Sequence, residues 1–186
     1  ELQSDGTSAL MYAAYLGDAE MASTLISAGA DPALVNSYGT SAILEATIVG
    51  ANDVLEILLE NGADANWSNP EGETPLMNVA RAGNLEGAAL LLSHGADLHA
   101  TEHWGGQSAL HWAAAQSQPA MLKLLIENGA DANLQSIIRH WDRTTLNEPR
   151  PKHLNKGGLT PLHFAAREGC SDCIRVLAEA GVDLDA

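Results

Sequence analysis

Two cysteines near the C-terminus, Cys170 and Cys173 in CSDC, have the spacing of a redox dithiol or of half a zinc site. Zinc would need two more ligands, and with no second C-x-x-C pair these would have to come from His140 or His153. The other readings are a regulatory thiol, a local disulfide, or a buried Cys173 beside a Cys170 in a turn. Among the seven histidines, His99 and His103 stand four apart, but in a segment that also contains Gly105 and Gly106. Such a segment reads as a loop, where helical alignment of two ligands fails. His94 falls at SHGAD, where partial positive charge suits a helix C-terminus. No glycine-rich phosphate loop, Ser-His-Asp set or carboxylate pair stands out. The residues predict no catalytic group, no metal and no cofactor.

The elements that would position these side chains declare themselves by repetition. The triplet GAD recurs at Gly29, Gly62, Gly95 and Gly129, with GVD at Gly181, at spacings of 33, 33, 34 and 52. A second landmark travels with it: GTSALMYAA from Gly6, GTSAILEAT from Gly39, GETPLMNVA from Gly72, GQSALHWAA from Gly106 and GLTPLHFAA from Gly158. Thr74-Pro75 and Thr160-Pro161 set a capping hydroxyl beside a proline, which predicts a helix start. Ala9 to Leu16 is short and alanine-rich, so neighbouring helices can approach closely. In DVLEILLENG, Val54, Leu55, Leu58 and Leu59 recur at helical spacing while Glu56 and Glu60 take the wet face.

The pattern G-x-T-P-L-H-x-A-A-x-x-G with an L-L-x-x-G-A-D ending resembles the ankyrin repeat, in five copies over nearly the whole chain. The resemblance implies an all-α solenoid of stacked helix-turn-helix units with projecting β-turn fingers. One repeat domain is expected over residues 1–186, with repeats at about 4–36, 37–69, 70–102, 103–135 and 156–186. It also implies that His111 and His163, at the T-P-L-H histidine, make structural hydrogen bonds to neighbouring loops. Met11, Leu44 and Met77 fill the same position, which argues against catalysis there. Cys173 falls where other copies place apolar residues such as Leu55 and Leu122, which favours a core role. The last copy ends at Ala186 without a polar cap, so the polypeptide is expected to continue or a partner to cover that end.

Nine Lys and Arg against 24 Asp and Glu leave a net charge of -15, which argues against nucleic acid as a ligand. No apolar run approaches the roughly 18 residues of a membrane span. Glu1 is not a start methionine and no signal segment follows it, so any targeting segment is expected to have been removed.

Function is therefore sought in the positions the repeat leaves free. The resemblance assigns fingertips and first-helix ends to a concave groove. These include Ser4, Asp5 and Thr7 with Tyr15 and Leu16; Ser37, Tyr38 and Thr40 with Ile48 and Val49; and Pro70, Glu71 and Glu73 with Arg81 and Ala82. The fourth copy offers Trp104, Gly105, Gln107, Ala115 and Gln116, and the fifth Leu159, Arg167 and Glu168. Bulky residues at positions free of fold requirements point to a protein-binding surface. Trp112 is expected to pack between repeats, and Trp104 to bind a partner or touch the insert.

The insert is IIRHWDRTTLNEPRPKHLNK, residues 137–156. Between Gly129 and Gly158 the link runs 29 residues where about ten is usual in this chain, so one finger is enlarged. Residues 1–133 have only Arg81 and Lys123 as bases, whereas 134–157 hold Arg139, Arg143, Arg150, Lys152 and Lys156. Surface ion pairs contribute about 0 to 1 kcal/mol each, but burial of Trp141, Ile137 or Ile138 roughly 1.5 to 3, so packing should order the loop. It is expected to fold over the groove near Trp104 and Trp112 or reach a partner, with Arg139, Trp141, Arg143 and Arg150 as contacts. Self-association, or service as the recruiting arm of an enzyme encoded outside this chain, would use the same surfaces. The arrangement GGQSALHWAAA, basic loop, GGLTPLHFAAREG is also similar to some exported bacterial ankyrin proteins, implying a periplasmic or extracellular site.

Overall fold

The computed structural model describes residues 4–142 and 153–185, with residues 139–142 and 153–156 described by backbone alone. Five helix pairs follow one another: α1 (Ala9–Leu16) with α2 (Ala19–Ser27), α3 (Ala42–Val49) with α4 (Asn52–Glu60), α5 (Pro75–Ala82) with α6 (Leu85–Ser93), α7 (Ala109–Ala115) with α8 (Pro119–Glu127), and α9 (Pro161–Arg167) with α10 (Ser171–Glu179). Between α8 and α9 stand two short strands, β1 (Arg139–Asp142) and β2 (His153–Lys156). This is the all-α stack that the repeat predicts.

The first helices start at hydroxyl caps. Ser8 Oγ accepts the Met11 N–H at 3.2 Å and Thr74 Oγ1 the Met77 N–H at 3.4 Å. In the fourth and fifth pairs the third helical residue completes the cap: His111 Nδ1 accepts the Ser108 N–H at 3.2 Å, and His163 Nδ1 the Thr160 N–H at 3.3 Å. Left-handed glycines such as Gly17, at φ 67°, end these helices, but the fourth repeat puts Ser117 there, at φ 55°.

Packing runs in two layers. In the first-helix layer the contacts are made by small residues, Ala13, Ala14, Ala80, Ala113, Ala114 and Ala165, all 0% exposed. Each first helix contacts the next, and each second helix the next, so the layers are continuous. The second-helix layer aligns Leu58, Leu91, Leu125 and Leu177 in one buried column. Cys173, also buried, stands in register with Val54 and Met121, one residue from the alignment with Leu55 and Leu122 expected from sequence; its core role is unaffected.

The fingers are closed by one recurring pair. Asn36 N–H donates to Thr40 O at 3.0 Å, Asn69 N–H to Glu73 O at 3.2 Å, Glu102 N–H to Gln107 O at 3.0 Å, and Ser136 N–H to Leu159 O at 3.0 Å. The whole insert thus hangs inside the closure that elsewhere spans a tight turn. Its stem is an antiparallel ladder with Trp141 opposite Leu154 and Arg139 opposite Lys156. Successive fingers also bond to one another: Ser37 N–H to Asp5 O at 2.8 Å, His103 N–H to Glu71 O at 2.8 Å, and Ile137 N–H to Gly105 O at 2.7 Å. Pro70, at the corresponding place, has no N–H to give, and its ring lies against Gly39 instead.

Candidate functional site

The face made by the fingers and the last turns of the first helices carries several bulky residues that the core does not use. Tyr15 is 60% exposed, Leu16 65%, Tyr38 72%, Ile48 56% and Val49 43%. They sit there because the buried stripe of α1 and α3 is supplied by Leu10, Met11, Ala13 and Ala14, and by Ile43, Leu44 and Ala46. Trp104 stands on the fourth fingertip, 69% exposed.

One column of this face escaped the sequence reading as a site. The residue after the T-P-L-H histidine position is Tyr12, Glu45, Asn78, Trp112 and Phe164 in the five copies. The signal was present, since a position that accepts an acid, an amide and three aromatics is not set by the core. Tyr12 is 45% exposed, and Glu45 is half-buried, its carboxyl raised above the usual carboxylate range by burial. Asn78 is 3% exposed.

Around the middle of the array the face changes character. The Arg81 guanidinium lies 5.1 Å from the centroid of the Trp112 ring and donates to Asn78 Oδ1 at 3.5 Å. Trp112 packs partly against the core, as expected. Gln107 is half-buried and Gln116, the residue that ends α7, is exposed; both line a shallow cavity with Arg81, Trp112 and Ala115. Arg167 stands over the Phe164 ring at 4.8 Å and pairs with Glu168 at 2.9 Å.

Several polar side chains of the fingers and caps tie the scaffold together. Thr7 Oγ1 accepts from Asn36 Nδ2 at 3.2 Å, tying the first finger to the second. Glu102 is 6% exposed, its carboxylate taking the N–H groups of Trp104 at 2.6 Å, Gly105 at 2.8 Å and Gln107 at 3.0 Å. A Glu replaces the Asn36 and Asn69 of earlier fingers because this finger is one residue longer, which the 34-residue spacing had signalled. His111 is 0% exposed and links its own cap to the next repeat through Nε2 and Leu159 O at 3.1 Å. Burial pushes its imidazole below the ordinary value, although the hydrogen bond to Leu159 opposes this.

Cys170 and Cys173 are joined in a disulfide that spans the first turn of α10. Neither offers a thiolate to a metal in that state, and among the described residues no group of three His, Cys, Asp or Glu is placed to hold one. Arg139 and Trp141 belong to β1 and His140 and His153 to the same hairpin, their side chains outside the described residues; Arg143 and Arg150 lie outside them altogether. The expectation that the insert folds over Trp104 and Trp112 falls there too. At its base Ile137 closes on Gly105 and Gly106 of the preceding finger. Among the described residues no helix is long and apolar enough to cross a membrane.

The family profile described as "Ankyrin repeats (3 copies)" matches residues 1–69 and 43–136, and that described as "Ankyrin repeats (many copies)" matches residues 110–178. Similar proteins include the B-cell lymphoma 3 protein homolog of Mus musculus, 32% identical over 81 residues, 44% of this chain and 15% of that protein. The probable E3 ubiquitin-protein ligase XBOS32 of Oryza sativa subsp. japonica is 30% identical over 102 residues, 47% of this chain and 20% of the relative. The E3 ubiquitin-protein ligase XBAT33 of Arabidopsis thaliana is 39% identical over 90 residues, 39% of this chain and 17% of the relative. The matches thus span no more than a fifth of the length of these relatives.

Proposed function

Because this chain belongs to the ankyrin repeat family, whose repeats serve contacts between proteins, we propose that it is a non-catalytic module holding a partner protein in the groove of first helices and fingers. The observation that carries this reading is the exposure of Tyr15, Leu16, Tyr38, Ile48 and Val49, between 43% and 72%, at positions the stack does not need. Burying such a side chain contributes about 1.5 to 3 kcal/mol and association costs on the order of 4 to 15, so four or five anchors offset that cost and the polar contacts of the same face supply the surplus. Arg81, Trp104, Gln107, Gln116 and Arg167 flank these anchors on the same reading, and the long finger with Arg139, Trp141, Arg143 and Arg150 adds a basic contact.

Affinity capture with three forms of the chain tests this: the intact one, a Leu16→Asp, Ile48→Asp variant, and one with residues 137–156 replaced by a short turn. A partner held by the intact chain should be lost with the double variant and weakened with the shortened finger. Equal retention by all three, with helical content unchanged, sinks the groove assignment.

A second reading is favoured by the relatives. Of the proteins named above, one is described as an E3 ubiquitin-protein ligase and another as a probable one, and the match covers a fifth or less of each, so the array would serve there as one part of a larger enzyme. On that reading this chain recruits a substrate for a catalytic domain elsewhere in its polypeptide. The full coding sequence decides it.

A further inference from the structure

The fold does not dictate Arg81, since the equivalent positions in the other copies are Tyr15, Ile48, Ala115 and Arg167. It is nevertheless held from two repeats. Its own helix offers Asn78, a 3% exposed amide, as acceptor at 3.5 Å, and the next repeat offers the Trp112 ring at 5.1 Å. A buried asparagine inside a helix is a costly choice unless its oxygen has a duty.

Lys123, Arg167 and Arg175 each pair with an acid on their own helix or beside it, whereas Arg81 pairs with no carboxylate among the described residues. In a chain of net charge -15 a free-swinging guanidinium would find one; here the Trp112 ring and Asn78 hold it over the groove. A guanidinium seated on a ring keeps its in-plane N–H donors at its edge, arranged for the two oxygens of a carboxylate. The cavity beside it, of about 170 Å³, is lined by Gln107 and Gln116 together with Arg81, Trp112 and Ala115. Donors and an aromatic wall line this cavity, and no carboxylate does.

We infer that this cavity takes the side chain of an aspartate or glutamate from the partner, a local exception on an acidic protein. The inference rests on the reading of the groove as the partner-binding face. The cavity lies mid-array, with first helices continuing on both sides, so it suits a side chain of a passing segment better than a chain end. The cavity is lined from α5 and α7, about one and a half helix steps from Ile48 and Val49 on α3, and at about 8 to 10 Å per step the acid should lie roughly 12 to 15 Å from the segment's apolar anchors.

Random dodecapeptides displayed on phage and panned against the intact chain, Arg81→Gln, Arg81→Lys and Ile48→Asp supply the test. The intact chain should select an Asp or Glu at a constant distance from apolar residues, and the pool from R81Q should keep the apolar preference and lose the acid. The best synthetic peptide should lose about tenfold or more in affinity when its acid becomes the amide, the scale of one charged hydrogen-bond pair. That penalty should shrink with R81K and vanish with R81Q. A pool without acid enrichment, or an amide penalty that persists with R81Q, overturns the inference and leaves the groove reading standing. A pool that I48D selects as well as the intact chain overturns the groove reading itself.

Discussion

Single residues in this protein are most informative where they break the repeat. Ser117 occupies the left-handed turn that glycine fills in the other copies, at φ 55°, and it is exposed. A side chain in that conformation costs roughly 1 to 2 kcal/mol, partly offset by the extra chain entropy glycine would lose. Ser117→Gly should therefore stabilise by about 1 kcal/mol, raising the melting temperature by roughly 2 to 4 °C in calorimetry. His111 is the opposite case, a polar residue made indispensable by its neighbours. Its burial holds the imidazole neutral and its folded-state value below the unfolded value of 6.5. Stability is then complete above the unfolded value and falls as pH drops through the window beneath it, because the unfolded chain binds the proton first. His111→Leu should remove that acid sensitivity while costing about 1 to 3 kcal/mol at neutral pH, since the Ser108 N–H loses its acceptor and Leu159 O keeps the Ser136 N–H alone. Urea midpoints at pH 7.5 and pH 5, compared between the two chains, check both signs.

At the scale of elements the long finger decides most. It leaves and rejoins the array through the Ser136–Leu159 pair, the same closure that holds Asn36 to Thr40 across residues 37–39. The array is therefore expected to stand without the insert. A variant in which one residue replaces 137–156, leaving Gly157 and Gly158 to complete the turn, should keep its helical circular dichroism and unfold cooperatively. The shorter loop lowers the closure entropy by about 2 kcal/mol, some three doublings of length, and the lost hairpin works against that. The expected melting temperature is within several degrees of the parent's, and collapse of the fifth helix pair would show the finger to be structural. The disulfide joins residues three apart in sequence, within a single turn of chain, so it ties the start of α10 to itself and not to another repeat.

For the whole molecule the controlling fact is linear connection: each helix pair touches the pair before and the pair after. Stability in such a stack is a sum of local terms and interfaces. Leu91 and Leu177 are equally buried, at 0% exposure, but one lies in the middle pair and the other in the last. Truncation of either to alanine should cost about 2 to 5 kcal/mol locally. Leu91→Ala should split urea unfolding into two transitions, whereas Leu177→Ala should fray α9 and α10 with the first three pairs still protected. Hydrogen exchange resolved by segment distinguishes these outcomes.

How much of this was legible without coordinates follows from the same locality. Caps, helix lengths and the pairing of helices depend on residues within one period, so Thr74-Pro75, Gly17 and the recurring GAD were enough to place the fold, and the phase of Gly158 was enough to identify the insert as a finger. The exposure of Tyr15, Leu16, Tyr38, Ile48 and Val49 was legible for the same reason, because a position with no duty in the repeat stands out when five copies are aligned. What the sequence left open depends on contacts between copies. That the buried Asn78 accepts from Arg81, that Trp112 of the next repeat brings its ring under that guanidinium, and that Glu102 folds its carboxylate into its own finger are facts of three-dimensional neighbourhood. Composition could count the bases of an acidic chain; only the packing of one repeat on the next decided which of them was kept from every described acid.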